Sequence, residues 1–302
     1  MKSQSYVQTV AYSVSSQKDE KKENVNRFNV KEWFTFRVID IAVAATLLAM
    51  HIVVMFFSRF TIARLFNFEA GYIMFIIFGL LLGPIKGSLL ALIADTLMLL
   101  ITGSIGTWFW LYALFPPIIS IISSGYFYLF QKTKYARLVL SYLFVLIAFI
   151  MVLFIYVWKS NPDGSFKVTS KISSPRYIIV FVLVIYALLS FGLTSGFTYL
   201  YFKTKNDKWM YYVMTTSLIL LISIVVRWIL GPVAWIEYYN YIHRSETGTF
   251  RTYGVDYIIN FVRIVVKDLF LVPIYIALLG PLFAILSFFK EKYISNKAKI
   301  SY

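Results

Sequence analysis

The sequence predicts an all-α, polytopic membrane protein, and its composition and its long apolar runs carry that prediction. Of 302 residues, 60% are hydrophobic and only 14% are charged, whereas soluble domains have about 45–50% apolar and about 25% charged residues. Several uncharged runs reach roughly 20 residues, the length at which a helix spans a bilayer core of about 30 Å. An apolar excess of this size requires lipid as its solvent.

Eight candidate spanning segments follow a polar, basic tail at residues 1–37. They are 38–58, 68–82, 85–103, 107–131, 138–158, 177–202, 209–230 and 256–289. Gly83-Pro84 and Gly231-Pro232 lie where one segment should stop or turn. A second basic tail covers 291–302, so the transmembrane domain is predicted to be 38–290, in the cell membrane. We expect the first apolar helix to act as an uncleaved targeting signal.

The distribution of basic residues predicts the topology of these segments. With the N-terminus inside, 18 of the 29 Lys and Arg residues fall on the cytoplasmic side and 8 on the outer side. Cytoplasmic loops of membrane proteins carry such an excess. The sequence therefore predicts both termini inside and an even number of spans. The same placement, in short clusters between apolar runs, argues against nucleic acid as the partner of this basic chain.

Several kinds of chemistry are excluded or disfavoured by residue type. The chain has no cysteine and two histidines, His51 and His243, so neither a thiolate nor a histidine-based metal site is expected. No GxxxxGK[ST] loop is present, so the chain is not expected to hydrolyse ATP. We therefore predict no catalytic residues, no metal and no cofactor of its own.

The last segment carries four polar residues at spacings i, i+4, i+7 and i+11, which is one helical stripe. They are Asp256, Asn260, Arg263 and Lys267. Ionised groups inside a membrane cost about 2.5–3.5 kcal/mol on insertion scales, so they face a bundle interior or a wet cavity. An anion between the two cations would relieve their mutual repulsion. The alternative is that both cations extend to the outer headgroups.

A single acid, Asp95, lies inside the third segment, on the same helical face as Gly87 and Ala91. An intramembrane acid is a binding-site candidate by default. The alternative is a buried ion pair with a basic residue of another helix.

Two further patterns concern surfaces. Trp235 and Tyr238 belong to an aromatic group at the outer end of the seventh segment, which is either an interfacial belt or a wall on which a flat ring stacks. In the first segment, Ala42, Ala45 and Ala49 form a small-residue stripe. Such stripes let two membrane helices approach closely, within one chain or between chains.

The stretch from Phe60 to Leu100 resembles the substrate-specificity subunits of energy-coupling-factor vitamin transporters, and most of all the folate group. Those proteins have a capping loop, a short second helix, a G-x-x-x-GP-x-x-G turn and an acid in the third helix. The corresponding residues here are Gly79, Gly83, Pro84, Gly87 and Asp95. The last segment is similar to the folate group's last helix at Arg263, Lys267, Pro273 and Ile274. Ala45 and Ala49 resemble the family's AxxxA pair, and together the matches cover less than half of the chain.

The resemblance implies a function and a set of partners. The subunit would capture a vitamin from outside under a cap formed by the first loop, where Arg59 and Arg64 join the candidate binding residues. It would dock through Ala42, Ala45 and Ala49 on a transmembrane T subunit driven by two ATPase subunits, which use the ATP. For folate, Asp95 would bind the pterin, Arg263 and Lys267 the carboxylate tail, and the outer aromatics would stack on the rings.

The chain also differs from the family, which has six helices. The excess is predicted to be an inserted hairpin at 138–202 with a polar outer loop. Both 123–130 and 191–205 resemble the end of the family's fourth helix, and the sequence does not choose between them. Other functions remain open: an ion-coupled secondary transporter, a subunit for a different vitamin, and a membrane-embedded enzyme or scaffold.

Overall fold

The structure is a computed structural model that describes residues 31–60, 69–130, 134–159, 165–169, 172–245 and 250–289. The chain divides into two compact units, residues 1–38 and residues 39–302. In the first unit the described element is a one-turn helix, α1, Lys31–Phe34. The second unit contains the transmembrane domain and is described next.

The described residues of the second unit are almost entirely helical. In chain order they are α2 (Val38–Phe60), α3 (Ala70–Leu82), α4 (Pro84–Ile101), α5 (Trp110–Ala113), α6 (Phe115–Phe130), α7 (Lys134–Lys159), α8 (Arg176–Thr204), α9 (Asp207–Ile222), α10 (Gly231–Ile242) and α11 (Val255–Phe289). A π-helical segment, Ser223–Leu230, joins α9 to α10 without a break. Among the described residues, the one β-sheet is a short antiparallel hairpin between α7 and α8, formed by β1 (Ser165–Thr169) and β2 (Ile172–Pro175).

Within the described residues, six stretches of helix are long and apolar enough to cross a membrane. They are Val38–Ser58, Pro84–Ile101, Trp110–Leu129, Val184–Thr204, Asp207–Ile242 and Asp256–Leu286. Two shorter apolar helices, Ala70–Leu82 and Arg137–Ile147, coincide with the two remaining predicted segments. The prediction of a helical membrane protein is therefore confirmed.

Helices α3, α4 and α6 form a tight three-helix group because glycines let their backbones touch. A Cβ atom at Gly79 would collide with the backbone carbonyl of Ser120, and one at Gly87 would lie 2.6 Å from the carbonyl oxygen of Phe78. Gly83, between α3 and α4, has φ +86°, a left-handed conformation that glycine adopts without steric cost. In the GxxxGPxxG pattern, Gly79 and Gly87 thus allow close helix packing, and Gly83 allows the turn between α3 and α4.

Helix α9 is the centre of a second group, in which α7, α8 and α11 all pack against it. Val213 and Leu218 of α9 are fully buried. Gly280 of α11 lies directly against the ring of Tyr212, where a Cβ atom would not fit. Both helices of the predicted 138–202 hairpin therefore touch the bundle through α9.

Helix α2 is attached through one narrow stripe. Asp40, Leu47 and His51 are buried, and their i, i+7, i+11 spacing puts them on one face. The ring of His51 lies 5.4 Å from that of Phe75 and 5.8 Å from that of Phe78. Much of the rest of α2 is exposed, including the predicted docking residues Ala42, Ala45 and Ala49.

Candidate substrate-binding site

A cavity of about 480 Å³ lies among α3, α4, α5, α6 and α10. Its lining comes from the start of α3, the second half of α4, the chain that follows α4, α5, the start of α6 and the middle of α10. Gly83 connects the end of α3 to the start of α4, so these lining portions all lie at the opposite end of the bundle from that turn. The volume is within the range of about 300–1,000 Å³ that holds small-molecule ligands.

The walls of this cavity are mostly aromatic. The aromatic lining residues are Tyr72, Phe75, Trp108, Phe109, Tyr112, Phe115, Trp235 and Tyr238. The rings support one another, since the Tyr238 ring is 5.5 Å from that of Phe109 and 5.7 Å from that of Tyr112. Trp235 stacks on Tyr239 at 5.5 Å. Walls of this kind bind flat, largely apolar ring systems.

Asp95 contributes a carboxylate to the cavity from α4, six residues before the helix ends at Ile101. Its side chain is half-buried. In the described part of the chain it has neither a hydrogen bond nor an ion pair, so the predicted alternative of a buried ion pair has no partner there. A carboxylate accepts hydrogen bonds through two oxygens. Asp95 is therefore available to a ligand that donates them.

Glu69, which directly precedes α3, is a second carboxylate in the lining. Its oxygens contact two different cations: Oε2 lies 3.3 Å from Nη1 of Arg227, and Oε1 lies 3.4 Å from Nζ of Lys267. Its backbone carbonyl accepts from the N–H of Tyr72 and from the hydroxyl of Tyr275. The backbone of Glu69 is thus fixed while its side chain bridges two other helical segments.

Arg227 links the cavity to the core of the bundle. Its Nε donates to Oδ2 of Asp268 at 3.0 Å, and its Nη2 lies 2.9 Å from Oδ1. The indole N–H of Trp228 donates to the same Oδ2 at 2.8 Å, and Asp268 is completely buried. The Arg227 guanidinium also lies 5.0 Å from the centre of the Tyr72 ring.

Arg227 and Trp228 are consecutive residues in the π-helical segment between α9 and α10. Residues next to each other in an α-helix point in directions about 100° apart, because the helix has about 3.6 residues per turn. Here both side chains reach one carboxylate oxygen. π-helical turns are rare and frequent at functional sites, and this one presents Arg227 to Asp268 on one side and to Glu69 on the other.

The structure gathers some of the predicted binding residues at the cavity. Asp95, Trp235 and Tyr238 line it directly. Lys267 does not line it and contacts it through Glu69. Arg64 and the side chain of Arg59 lie outside the described part of the chain.

The other three residues of the α11 stripe have different surroundings. Asp256 accepts from the backbone N–H of Thr252 and pairs with Arg251 at 3.1 Å, so it holds the start of the helix. Asn260 is buried and donates to the backbone carbonyl of Asp256. Arg263 is exposed, and within the described residues it has no ion pair.

The reason for this placement is the orientation of α11. Its buried side chains include Phe261, Val265, Asp268 and Val272, and their mean direction is more than a quarter-turn away from the predicted stripe. The four polar residues share one face, but that face points largely away from this packed face of the helix. The sequence predicts that Arg263 and Lys267 both line the pocket, but in the structure neither is among the residues that line the cavity.

Sequence reasoning did not select Glu69, Arg227 or Asp268 as site residues. Glu69 lies at a segment boundary, and Asp268 directly follows the more conspicuous Lys267. A signal was present, because Arg227 and Asp268 are opposite charges inside two apolar segments, and such residues commonly pair with one another. In the described residues, no three side chains of His, Asp or Glu come together as a metal site.

The chain is similar to two mycoplasmal proteins over most of its length. The uncharacterized protein MG313 of Mycoplasma genitalium is 29% identical over 256 residues, covering 80% of this chain and 88% of that protein. The MG313 homolog of Mycoplasma pneumoniae is also 29% identical over 256 residues, covering 80% of this chain and 87% of its own length. No protein-family model and no solved structure matches the chain.

Proposed function

We propose that this protein is the substrate-binding membrane subunit of a transporter of the energy-coupling-factor type, and that it captures a vitamin of the folate class from outside the cell. It resides in the plasma membrane with both termini inside and eight spans. It delivers the vitamin inward when docked on a transmembrane T subunit and two ATPases. The sequence resemblance supplies the transporter type.

The observation that carries the binding function is the aromatic cavity with the Asp95 carboxylate in its wall, which no described residue pairs with. A pterin is flat and has adjacent N–H donors, so its faces suit Tyr238 and Trp235 while its donors suit Asp95. A carboxylate in an apolar segment loses hydration that a ligand's N–H groups replace. The combination favours a hydrogen-bonding heterocycle over a purely apolar solute.

The proposed orientation agrees with the position of the cavity. The lining comes from the ends of helices that the charge distribution assigns to the outer side, and Lys86 lies at the other end, next to Gly83. Helix α3 has 13 residues, about 20 Å at about 1.5 Å per residue, which is shorter than a bilayer core of about 30 Å. A short α3 leaves room beneath the outer surface for a ligand.

The binding test is titration of the purified protein in mild detergent with 6-hydroxymethylpterin, a neutral pterin. Asp95→Asn should weaken binding about tenfold to a hundredfold, because hydrogen bonds to charged groups contribute about 1.5–3 kcal/mol. Asp256→Asn is the matched control, since Asp256 lies near the same end but outside the cavity lining, and it should bind as wild type does. Equal binding by Asp95→Asn and wild type would exclude Asp95 as the pterin acceptor.

The transporter type has a separate test. Affinity purification of the membrane-expressed protein should yield a T subunit and two ATPase subunits in fixed proportion, together with a small molecule identifiable by mass spectrometry. Uptake in intact cells should stop when ATP is depleted. Uptake that continues without ATP would contradict an energy-coupling-factor mechanism.

A proton-coupled secondary transporter is the second candidate, and the unpaired Asp95 favours it. Intramembrane acids that face a cavity serve as proton-binding groups in such transporters. Reconstitution into vesicles without any ATPase separates the two proposals. Accumulation driven by an imposed proton gradient, and lost in Asp95→Asn, would favour the secondary transporter.

A further inference from the structure

Two carboxylates contact Arg227 in very different ways. Asp268 is completely buried and both of its oxygens lie within 3.0 Å of the guanidinium. Glu69 makes one contact of 3.3 Å to the same guanidinium, and its side chain is 47% exposed. Its second contact, to Lys267, is 3.4 Å long, and Lys267 is 30% exposed. The Asp268 contact is therefore part of the core, whereas Glu69 reaches the buried Arg227 and the partly exposed Lys267 through single, longer contacts from a half-exposed side chain.

The energies of these contacts differ in the same way. Breaking a buried, hydrogen-bonded ion pair is strongly destabilising, whereas exposed ion pairs contribute about 0–1 kcal/mol. Glu69 can therefore leave its two cations at a smaller cost than Asp268 could, because its carboxylate is half-exposed and Arg227 keeps its contacts to Asp268. The Glu69 backbone would stay in place, since Tyr72 and Tyr275 hold its carbonyl oxygen.

We propose that Arg227 and Lys267 form an anion subsite at the edge of the cavity, and that Glu69 occupies this subsite until a carboxylate of the ligand displaces it. The two cations approach the two oxygens of Glu69 separately, and a ligand carboxylate presents the same pair of oxygens. Arg227 is held in position by Asp268, which Trp228 holds in turn, so its remaining N–H groups stay aimed at the subsite. Arginine's planar fork suits carboxylate recognition.

This inference rests on the proposed function, because it assigns one end of the ligand that enters the cavity. The ligand would carry an N–H-donating ring at Asp95 and a carboxylate at Arg227 and Lys267. A site blocked by the protein's own side chain binds its ligand more weakly than an open one, by the fraction of time that it is open. Removing the charge of Glu69 should therefore tighten carboxylate binding. If Glu69 instead accepted hydrogen bonds from the ligand, the same change would weaken binding.

The test uses 4-aminobenzoylglutamate, which carries carboxylates but no pterin, and measures its dissociation constant by calorimetry in detergent at fixed salt. We expect Glu69→Gln to bind it about tenfold more tightly than wild type and Lys267→Met about tenfold more weakly. The double variant should lose the gain of Glu69→Gln. Glu237→Gln is the matched control, because Glu237 lies on α10 at the same end, accepts from the hydroxyl of Tyr253 and does not line the cavity.

The outcomes separate this inference from the proposed function. Equal or weaker binding of 4-aminobenzoylglutamate by Glu69→Gln, or no binding by either protein, overturns the anion subsite. Binding of 6-hydroxymethylpterin, which carries no carboxylate, reports on the other end of the cavity, and we expect the control Glu237→Gln to leave it unchanged. If the wild-type protein does not bind 6-hydroxymethylpterin, the folate-class ligand is refuted. The titration with 4-aminobenzoylglutamate would still decide whether the anion subsite exists.

Discussion

Two buried ion pairs connect helices at opposite ends of this bundle, and they differ in what surrounds them. Asp40 of α2 contacts Lys86 of α4 through one carboxylate oxygen at 2.5 Å, and both side chains are nearly buried. At the cavity end, Asp268 of α11 contacts two nitrogens of Arg227 and accepts a hydrogen bond from the indole N–H of Trp228. The first pair has one short contact between two flexible side chains. In the second, two nitrogens of the planar Arg227 guanidinium face the two oxygens of Asp268, and the indole N–H of Trp228 donates to one of those oxygens.

The difference has a functional meaning. The Asp40–Lys86 pair lies beside the Gly83 turn, away from the cavity. The Arg227–Asp268 pair continues through Glu69 into the cavity wall. A change at the Asp40–Lys86 pair should therefore alter stability alone. A change at the Arg227–Asp268 pair should alter stability and ligand binding together.

Asp268→Ala should have the largest effect of the changes considered. It leaves the Arg227 guanidinium buried without its main partner and the Trp228 N–H without an acceptor. Breaking a buried pair in this way costs about 3–5 kcal/mol. Thermal unfolding in detergent, with recovery from the membrane as a second readout, should show a severe loss of stability.

Asp256→Ser provides the control on the same helix for that change. Asp256 also pairs with an arginine, but Arg251 is 40% exposed and Asp256 19% exposed, so this pair is closer to the exposed pairs that contribute about 0–1 kcal/mol. Serine retains an oxygen that can accept from the backbone N–H at the start of the helix. Comparable stability of the two variants would show that burial does not distinguish the two ion pairs.

Lys86→Met should have an intermediate effect, confined to stability. It leaves the Asp40 carboxylate buried without this partner, a loss of about 1–3 kcal/mol. Asp40 lies in the first turn of α2, where the helix dipole favours a negative charge, so the loss should be smaller than that at Asp268. Unfolding should occur at lower temperature, while the affinity for 6-hydroxymethylpterin stays at the wild-type value.

The double variant Asp40→Asn/Lys86→Met tests whether the pair acts as a unit. Removing both charges avoids leaving the Asp40 carboxylate buried without Lys86, so stability should recover part of what Lys86→Met loses. Additive losses would mean that each side chain acts through separate contacts. A change in pterin affinity in either variant would contradict the separation of the two ends.

Much of the fold could be predicted because the lipid environment leaves few alternatives. Within a membrane the backbone must satisfy its own hydrogen bonds, so long apolar runs become helices, and the predicted segments agree with the apolar helices observed. The Gly79–Gly87 pattern also indicated a turn. The sequence did not reveal that both glycines pack against the backbone or side chain of α6 at Ser120, since that contact depends on which helices are neighbours.

The site was predictable only in part, for a geometric reason. Asp95 stood out as an acid in an apolar helix, and Trp235 and Tyr238 as aromatics at a helix end. Arg263 was selected from its spacing to Lys267, but spacing defines a shared face and leaves the direction of that face open. Glu69 becomes recognisable only once three segments, distant in sequence, have come together.

Ala49→Trp should have the smallest effect on the isolated protein, because Ala49 lies outside both ion-pair regions. Ala49 is exposed on α2, facing away from the stripe of Asp40, Leu47 and His51 that attaches the helix. Substitutions at exposed positions usually change stability by no more than about 0.5 kcal/mol. Unfolding temperature and pterin affinity should both remain at their wild-type values.

The same substitution should nevertheless abolish uptake and the recovery of ATPase subunits, because an indole on a small-residue stripe keeps a partner helix from approaching closely. Val139→Trp, at an exposed position of α7, is the matched control and should leave assembly intact. Loss of stability or of pterin binding in Ala49→Trp would mean that this face packs within the chain. Normal assembly by Ala49→Trp would instead place the T-subunit contact on another face, since a side chain of that size cannot be accommodated where two helix backbones meet.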